Sequence, residues 1–215
     1  MKIAILGSGD VARSLGAGLQ RKGHATMLGT SDPAKLTDWA AGVPGARVGS
    51  FADAAAFGEL VILAVKGSAA LEAVQRAGAG TLAGKTVIDA TNPIADAAPV
   101  DGVLRFFTTL DDSLLEQLQR EYPALHFVKA FNSVGHGFMI DPAFEGGPPT
   151  MFIAGNDAKA KAAVATLLRE VGWQPADMGT AVAARAIEPL CMLWCIPGLR
   201  DDQWTHAFKL LRQAA

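Results

Sequence analysis

The stretch KIAILGSGDVA, residues 2–12, decides the fold of this 215-residue chain. An apolar run leads directly into a glycine turn, and an amphipathic pattern follows the turn. A strand, a glycine turn and a helix in this order form the phosphate-binding fingerprint of a dinucleotide-binding fold. Gly7 permits the tight turn, Gly9 lets the backbone approach a pyrophosphate, and Ala12 lets the helix pack closely on the sheet. We therefore predict that the chain binds a dinucleotide.

Strand and helix patterns alternate along most of the chain, which predicts an α/β fold. We expect a Rossmann-type doubly wound, mostly parallel sheet in residues 1–178 and a small helical part in residues 179–215. The last predicted strand is expected at an edge of the sheet. The strands are predicted at residues 2–6, 24–28, 46–48, 60–65, 86–90, 126–130, 151–154 and 174–178.

The segment 186–199 is apolar on nearly every side, and Pro189 is expected to kink it. A helix that is apolar all round must be covered by other elements. We predict that this segment forms part of the substrate pocket and part of a homodimer interface. Cys191 and Cys195 are four residues apart, and we expect two buried, reduced thiols rather than a redox pair.

Bulk composition limits the classes of partner. The net charge is −2 and there is no basic block, which disfavours nucleic acid because phosphate neutralisation needs clustered Lys and Arg. No run is expected to reach the roughly 20 apolar residues of a membrane span, and we expect no signal peptide before the first strand. We expect a cytoplasmic protein with a small-molecule co-substrate and no membrane partner.

The residues after the second strand favour NADP over NAD. Thr30 and Ser31 offer hydroxyl groups, and Lys35 lies one turn into the next helix, a combination that suits a 2′-phosphate. Asp32 lies about twenty residues beyond the glycine motif, so NAD stays open. However, Asp32 followed by Pro33 is typical of a helix cap. The alternative for Lys35 is a solvated surface lysine.

Three polar loops, at residues 65–68, 89–93 and 129–133, follow predicted strands. In open α/β sheets ligands bind outside the carboxyl ends of the strands, so these loops are expected to line one site. Each loop has a simpler interpretation. Asn92 and Pro93 could form only a turn with a cis bond, Lys66 could be solvated or paired with Asp89, and Asn132 could close its own loop.

Asn132 and His136 are the candidates for catalytic residues, although a plain surface histidine is the favoured interpretation of His136. The sequence has no G-x-S-x-G motif, no metal-ligand spacing and no pair of catalytic carboxylates. This pattern fits a reaction in which hydride passes directly between two rings that the protein positions.

Several motifs together resemble the NADP oxidoreductase, coenzyme F420-dependent family, and the resemblance covers essentially the whole chain. The motifs are GSGDVA (7–12), GTSDPAKL (29–36), DATNPI (89–94), KAFNSVG (129–135), AGNDAKAKAAVATLLREVGW (154–173) and IEPL (187–190).

The resemblance implies a dimeric protein that binds NADPH on the glycine loop and holds the 2′-phosphate with Thr30, Ser31 and Lys35. It places Ala130 and Asn132 beside the nicotinamide. A deazaflavin would stack on that ring, enclosed by the 131–139 loop and the tail around Met192 and Trp194. The residues expected to bind the cofactor are Gly7, Ser8, Gly9, Asp10, Val11, Thr30, Ser31, Lys35, Val65, Lys66, Asn92, Pro93, Ala130 and Asn132.

The leading functional hypothesis is therefore hydride transfer between NADP(H) and coenzyme F420 or a flavin. An NADP-linked reductase of imines or carbonyls is an alternative, with Lys66, Asn132 or His136 as proton donor. A non-catalytic NADPH-binding sensor is a third possibility.

Overall fold

The computed structural model describes residues 1–213, and six parallel strands form its main sheet. Their order, β3-β2-β1-β4-β5-β6, is that of a doubly wound dinucleotide-binding sheet and confirms the predicted fold class. The strands are β1 (Lys2–Leu6), β2 (Ala25–Gly29), β3 (Arg47–Gly49), β4 (Leu60–Leu63), β5 (Thr86–Asp89) and β6 (His126–Lys129).

The last two strands do not extend this sheet, so the expected edge strand at 174–178 is corrected. β7 (Thr150–Ile153) and β8 (Gln174–Asp177) pair in parallel with each other in a sheet of their own. The end of this small sheet meets β6 through one antiparallel bridge, between Lys129 and Ala154. A single bridge of opposite direction cannot continue a parallel ladder.

Helices cover both faces of the main sheet, because every strand except the edge strand β3 buries side chains on both sides. One apolar layer includes Leu15 and Leu19 of α1 with Val164 and Leu168 of α7. The other layer is formed with α3, α4, α6 and α8. The helices are α1 (Asp10–Arg21), α2 (Thr37–Gly42), α3 (Phe51–Phe57), α4 (Ala70–Ala77), α5 (Ala79–Leu82), α6 (Leu114–Glu121), α7 (Ala158–Glu170), α8 (Ala184–Ile187) and α9 (Leu190–Asp201).

The carboxyl-terminal part consists of α8, α9 and a tail without helix. Pro189 stands at the break between the two helices, as the sequence suggested. The tail returns to β7, where the backbone N–H of Thr150 donates to the carbonyl of Phe208 at 2.9 Å. Cys191 and Cys195 are both free, as predicted; Cys191 is buried, but Cys195 is only partly buried, which corrects the expectation of two buried thiols. The division of the chain at residue 178 stays a prediction.

One helical stretch, Ala181–Asp201, is long and apolar enough to cross a membrane by length and composition alone, with 21 residues and a mean hydropathy of 1.4. This corrects the expectation that no run would qualify. About 33% of this stretch is buried within the protein. Arg185 and Glu188 within it form ion pairs with Glu116 and Lys129, as in a helix packed on its own domain. The cytoplasmic location stays a prediction.

Candidate functional site

The glycine loop between β1 and α1 contains two glycines with different roles: the fold requires Gly7, whereas Gly9 borders open space. Gly7 has a φ of +148°, and a Cβ there would lie 2.2 Å from the carbonyl oxygen of Ala64. A Cβ on Gly9 would meet no atom of residues 1–213 within 4 Å. Gly9 precedes α1, whose first turn has no side-chain cap. The amino end of this 12-residue helix therefore offers uncapped N–H groups beside open space, which suits an anionic group.

A groove with a volume of about 330 Å³ runs past this loop along the carboxyl ends of β1, β2 and β4. It brings together seven of the residues expected to bind the cofactor: Gly7, Ser8, Gly9, Thr30, Ser31, Val65 and Lys66. Asp10 and Val11 begin α1 at its side. Residues that the sequence did not single out complete the lining, namely Phe51, Ala64, Ala69, Glu72, Ala73 and Arg76.

The segment after β2 forms one end of the groove. Thr30 is buried, and its Oγ1 accepts a hydrogen bond from the backbone N–H of Asp32 at 3.3 Å. The side chain of Asp32 caps the following 3-10 turn, as predicted, by accepting from the N–H of Ala34 at 3.2 Å. Lys35 is exposed, lies 3.9 Å from the Asp32 carboxylate and is not part of the groove lining.

Two asparagines fix the loops after β5 and β6 to the carboxyl-terminal part. The amide of Asn92 donates to the backbone carbonyl of Asn132 at 2.8 Å, and the amide of Asn132 donates to the carbonyl of Ile187 at 2.9 Å. The Oδ1 atom of Asn132 is buried and has no hydrogen-bond partner among residues 1–213. Asn132 does more than close its own loop, and the bond between Asn92 and Pro93 is trans.

The loops after β4 and β5 also contact each other. A Cβ on Gly67 would lie 2.0 Å from the carbonyl oxygen of Asn92, so these backbones touch only because residue 67 is a glycine. Ala130, at the end of β6, is fully buried. The three predicted loops therefore meet at one edge of the sheet. We define Asn92, Asn132 and Ile187 as the strand-end cluster.

His136 lies apart from the strand-end cluster. Its Nδ1 is 3.0 Å from the hydroxyl of Ser14 on α1, and it lines a shallow cavity with Arg13, Trp39 and other residues of α1 and α2. This placement matches the simpler interpretation of a surface histidine.

The sequence model described as NADP oxidoreductase, coenzyme F420-dependent, matches residues 2–93. A crystal structure of a candidate F420-dependent NADP-reductase from Arthrobacter sp. FB24 is 36% identical, and the match covers 99% of this chain and 100% of that one with a TM-score of 0.92. The chain belongs to the NADP oxidoreductase, coenzyme F420-dependent family. It is thus an NADP-dependent oxidoreductase, as the sequence motifs suggested.

Two other proteins are similar to this chain, one in sequence and one in fold alone. Metalloreductase STEAP3 of Rattus norvegicus is 30% identical over 204 residues, which cover 92% of this chain. The chain spans only 38% of the length of that rat protein. An imine reductase from Streptomyces aurantiacus shares the fold, with a TM-score of 0.70 over 93% of this chain and 63% of that one, at 14% identity.

Three charged side chains form a buried group beneath the loops after β5 and β6. This group was not predicted from the sequence. The ammonium group of Lys129, at the end of β6, is 2.6 Å from the Asp89 carboxylate and 2.9 Å from that of Glu188. Burial lowers the pKa of Lys129, but the two carboxylates outweigh burial and raise the pKa above its ordinary value. Asp89 therefore pairs with Lys129, whereas Lys66 is exposed. We call Asp89, Lys129 and Glu188 the buried ion triad.

Glu188 also binds the amino end of α6. Its two carboxylate oxygens accept the backbone N–H groups of Leu114 and Leu115, each at 3.0 Å. The triad thus joins β5, β6, α6 and the α8–α9 junction directly behind the strand-end cluster. No local sequence signal reveals these contacts, because the partners lie far apart in the chain.

Phe131 adds a strained backbone position to the same place. Its φ is +63°, a left-handed conformation that bulky residues rarely adopt. Phe131 is buried, and its N–H donates to the sulfur of Met151 at 3.0 Å. Such strain persists only where the surrounding structure holds it. Here it turns the chain between Ala130 and Asn132.

A second cavity lies between residues 104–110 and the α8–α9 helices. Its volume is about 410 Å³, and its lining includes Phe106, Leu110, Arg185, Glu188 and Met192. Glu188 belongs to the buried ion triad and follows Ile187 of the strand-end cluster. The cavity is therefore next to the loops that the sequence assigned to the nicotinamide. Trp194 packs against Gly135, so the 131–139 loop and the tail, which the resemblance places around the deazaflavin, contact each other.

Proposed function

We propose that the protein transfers hydride between the nicotinamide of NADP(H) and coenzyme F420 or a flavin. The observation that carries this proposal is the fixed amide of Asn132. Its nitrogen is held by the carbonyl of Ile187, and its buried oxygen keeps an unused acceptor site at the carboxyl edge of the sheet. A buried acceptor without a partner is costly, so a ligand donor that reaches it when the loops after β5 and β6 move apart would be stabilised.

The remaining residues of the site fit a dinucleotide. The open space at Gly9 and the uncapped amino end of α1 would take the pyrophosphate, and Thr30 and Ser31 would lie at the adenosine ribose. Asn92, Pro93, Ala130 and Asn132 would hold the nicotinamide half. When bound, the nicotinamide supplies or accepts the hydride. The chain's own residues orient the ring, and the buried loops keep water away from it.

The acceptor is proposed to enter the cavity between residues 104–110 and α9. The apolar side chains of Phe106, Leu110 and Met192 suit the flat ring system of a deazaflavin or flavin. Arg105, at its exposed side, would meet the phosphate or carboxylate groups that such molecules carry.

An anaerobic assay tests the reaction directly. The protein is mixed with NADPH, and nicotinamide absorbance is followed while coenzyme F420, FMN and FAD are offered in turn. We expect oxidation that depends on one acceptor and saturates with it. Tight NADPH binding without oxidation by any of the three would overturn the proposal and would direct attention to imine and carbonyl substrates or to a sensor role.

Asn132→Ala tests where the reaction takes place. If Asn132 positions the nicotinamide, this variant should turn over roughly a hundredfold more slowly, because small misplacements of reacting groups have effects of this size. Lys159→Met on the exposed face of α7 is the matched control and should behave as the parent protein. Thermal unfolding of both variants separates a lost position from a lost fold. Unchanged turnover in a folded Asn132→Ala protein would place the chemistry elsewhere.

A further inference from the structure

The wall of the groove opposite the glycine loop carries an arginine with no assigned task. Arg76, near the end of α4, lines the groove, and its guanidinium carbon lies 5.4 Å from the ring centroid of Phe51. Phe51 is buried at the start of α3. A guanidinium that stacks on an aromatic ring is held in place while its N–H groups stay available at the ring edge.

Phe51 places this arginine beside the end of β2. A Cβ on Gly29, the last residue of β2, would lie 3.1 Å from the Cα of Phe51, so the start of α3 contacts the end of the strand. Thr30 and Ser31 follow at once and line the same groove as Arg76. In this fold class the adenosine ribose lies at the end of β2. Arg76 therefore stands next to the place where a 2′-phosphate would be.

The other cations near this end of the groove have different positions or tasks. Lys35 lies outside the lining. Arg13 donates from Nε to the carbonyl of Ser8 and from Nη2 to the carbonyl of Lys35, both at 3.0 Å, so it ties the glycine loop to the segment after β2. Lys66 lines the groove but follows β4, away from the strand that Phe51 contacts.

Arg76 is only loosely engaged by protein groups. Its Nη1 is 3.4 Å from the Glu72 carboxylate, one helical turn away, and both side chains are largely exposed. Exposed ion pairs of this length contribute little. No other hydrogen bond of the Arg76 side chain is present within residues 1–213.

We infer that Arg76 binds the adenosine 2′-phosphate of NADP(H) and thereby sets the preference for NADP(H) over NAD(H). The inference rests on the proposed placement of NADP(H) in this groove. A guanidinium can donate two parallel hydrogen bonds to a phosphate, which a lysine cannot do. This assignment replaces Lys35, the cation that the sequence favoured for the same role.

Binding measurements on two variants test the assignment without any turnover. Dissociation constants for NADPH and NADH are measured by calorimetry for Arg76→Met and Lys35→Ala. Arg76→Met should weaken the binding of NADPH by about 10–100-fold, which is the range for a lost charge-assisted hydrogen bond. The dissociation constant for NADH should change little. Lys35→Ala should leave the ratio of the two constants unchanged. Equal weakening of NADPH and NADH by Arg76→Met would assign Arg76 to the adenine ring and overturn the inference.

Controls separate failure of this inference from failure of the proposed cofactor site. Gln75→Met, at the neighbouring exposed position of α4 outside the groove, should bind both nucleotides as the parent does. The pair 2′,5′-ADP and 5′-ADP repeats the test without a nicotinamide, and only 2′,5′-ADP should respond to Arg76→Met. If neither Arg76→Met nor Gly9→Ala changes NADPH binding, the groove itself is wrongly assigned as the cofactor site. If Gly9→Ala weakens NADPH but Arg76→Met does not change the ratio, only the role of Arg76 is wrong.

Discussion

At the scale of single residues, Gly7 and Gly9 of the same turn have different roles, and substitution of each can distinguish these roles. In Gly7→Ala the new methyl group would meet the carbonyl of Ala64 at 2.2 Å in a left-handed backbone. We expect Gly7→Ala to unfold at a lower denaturant concentration than the parent protein. Backbone strain should lower the free energy of unfolding by about 1–3 kcal/mol, and overpacking by about 1–3 kcal/mol more. Gly9→Ala should keep the parent stability but bind NADPH about tenfold more weakly or worse, because the methyl group enters the open space of the groove.

Urea unfolding and NADPH titration of the two variants, made in parallel, check this prediction. Each glycine serves as the control for the other, since both substitutions add the same methyl group. A Gly9→Ala protein that binds NADPH normally would show that the pyrophosphate does not approach this residue. A Gly7→Ala protein of normal stability would contradict the packing described for β1 and β4.

At the scale of secondary-structure elements, the buried ion triad holds the carboxyl-terminal helices against the sheet. Lys129→Met would leave the carboxylates of Asp89 and Glu188 buried without their cation. Removing one partner of a buried pair typically lowers the free energy of unfolding by about 3–5 kcal/mol. We expect a loss of this size by urea unfolding at neutral pH, where the raised pKa keeps Lys129 charged in the parent protein.

Lys159→Met, on the exposed face of α7, is the matched control and should change the free energy of unfolding by no more than about 0.5 kcal/mol. If Lys129→Met were as stable as this control, the triad would contribute no net stability. The triad would then serve only to position the loops after β5 and β6.

The same elements show what could be predicted from the sequence and what could not. The strands of the main sheet and the glycine turn follow from local periodicity, and each was predicted to within two residues. The loops after β4, β5 and β6 were placed together because parallel strands end at one edge. The triad could not be found in this way, since Lys129 and Glu188 are 59 residues apart in the sequence. The separate sheet of β7 and β8 was not predicted, because the sequence pattern of a strand does not indicate which other strand it pairs with.

Arg76 is a second feature that could not be predicted from the sequence. Its neighbours in the sequence mark it as an exposed residue of an ordinary amphipathic helix. Only the contact of Phe51 with the end of β2 brings it to the groove. Lys35, in contrast, looks well placed along the chain but lies outside the lining, because the 3-10 turn that begins after Asp32 leads its side chain to solvent.

At the scale of the whole molecule, large apolar side chains remain exposed in two neighbouring segments. Leu193 and Leu199 of α9 are 55% and 40% exposed. The segment 100–110 packs against α9 near Gly102, where a Cβ would meet Arg200. This segment exposes further apolar side chains, namely Val100, Val103, Phe107 and Leu110. Several exposed apolar side chains on segments that contact each other are typical of an interaction site in a globular protein.

We propose that a second copy of the chain covers this surface, as the sequence suggested for the tail. Sedimentation should then give a mass about twice the 22.4 kDa of one chain. Leu193→Glu should shift the protein toward monomers, because a carboxylate buried at an apolar interface is strongly disfavoured. Leu71→Glu, at a 38% exposed leucine on α4, is the matched control and should stay dimeric. A parent protein that sediments as a monomer at every concentration, or a Leu193→Glu dimer as tight as the control, would show that no second copy binds at α9.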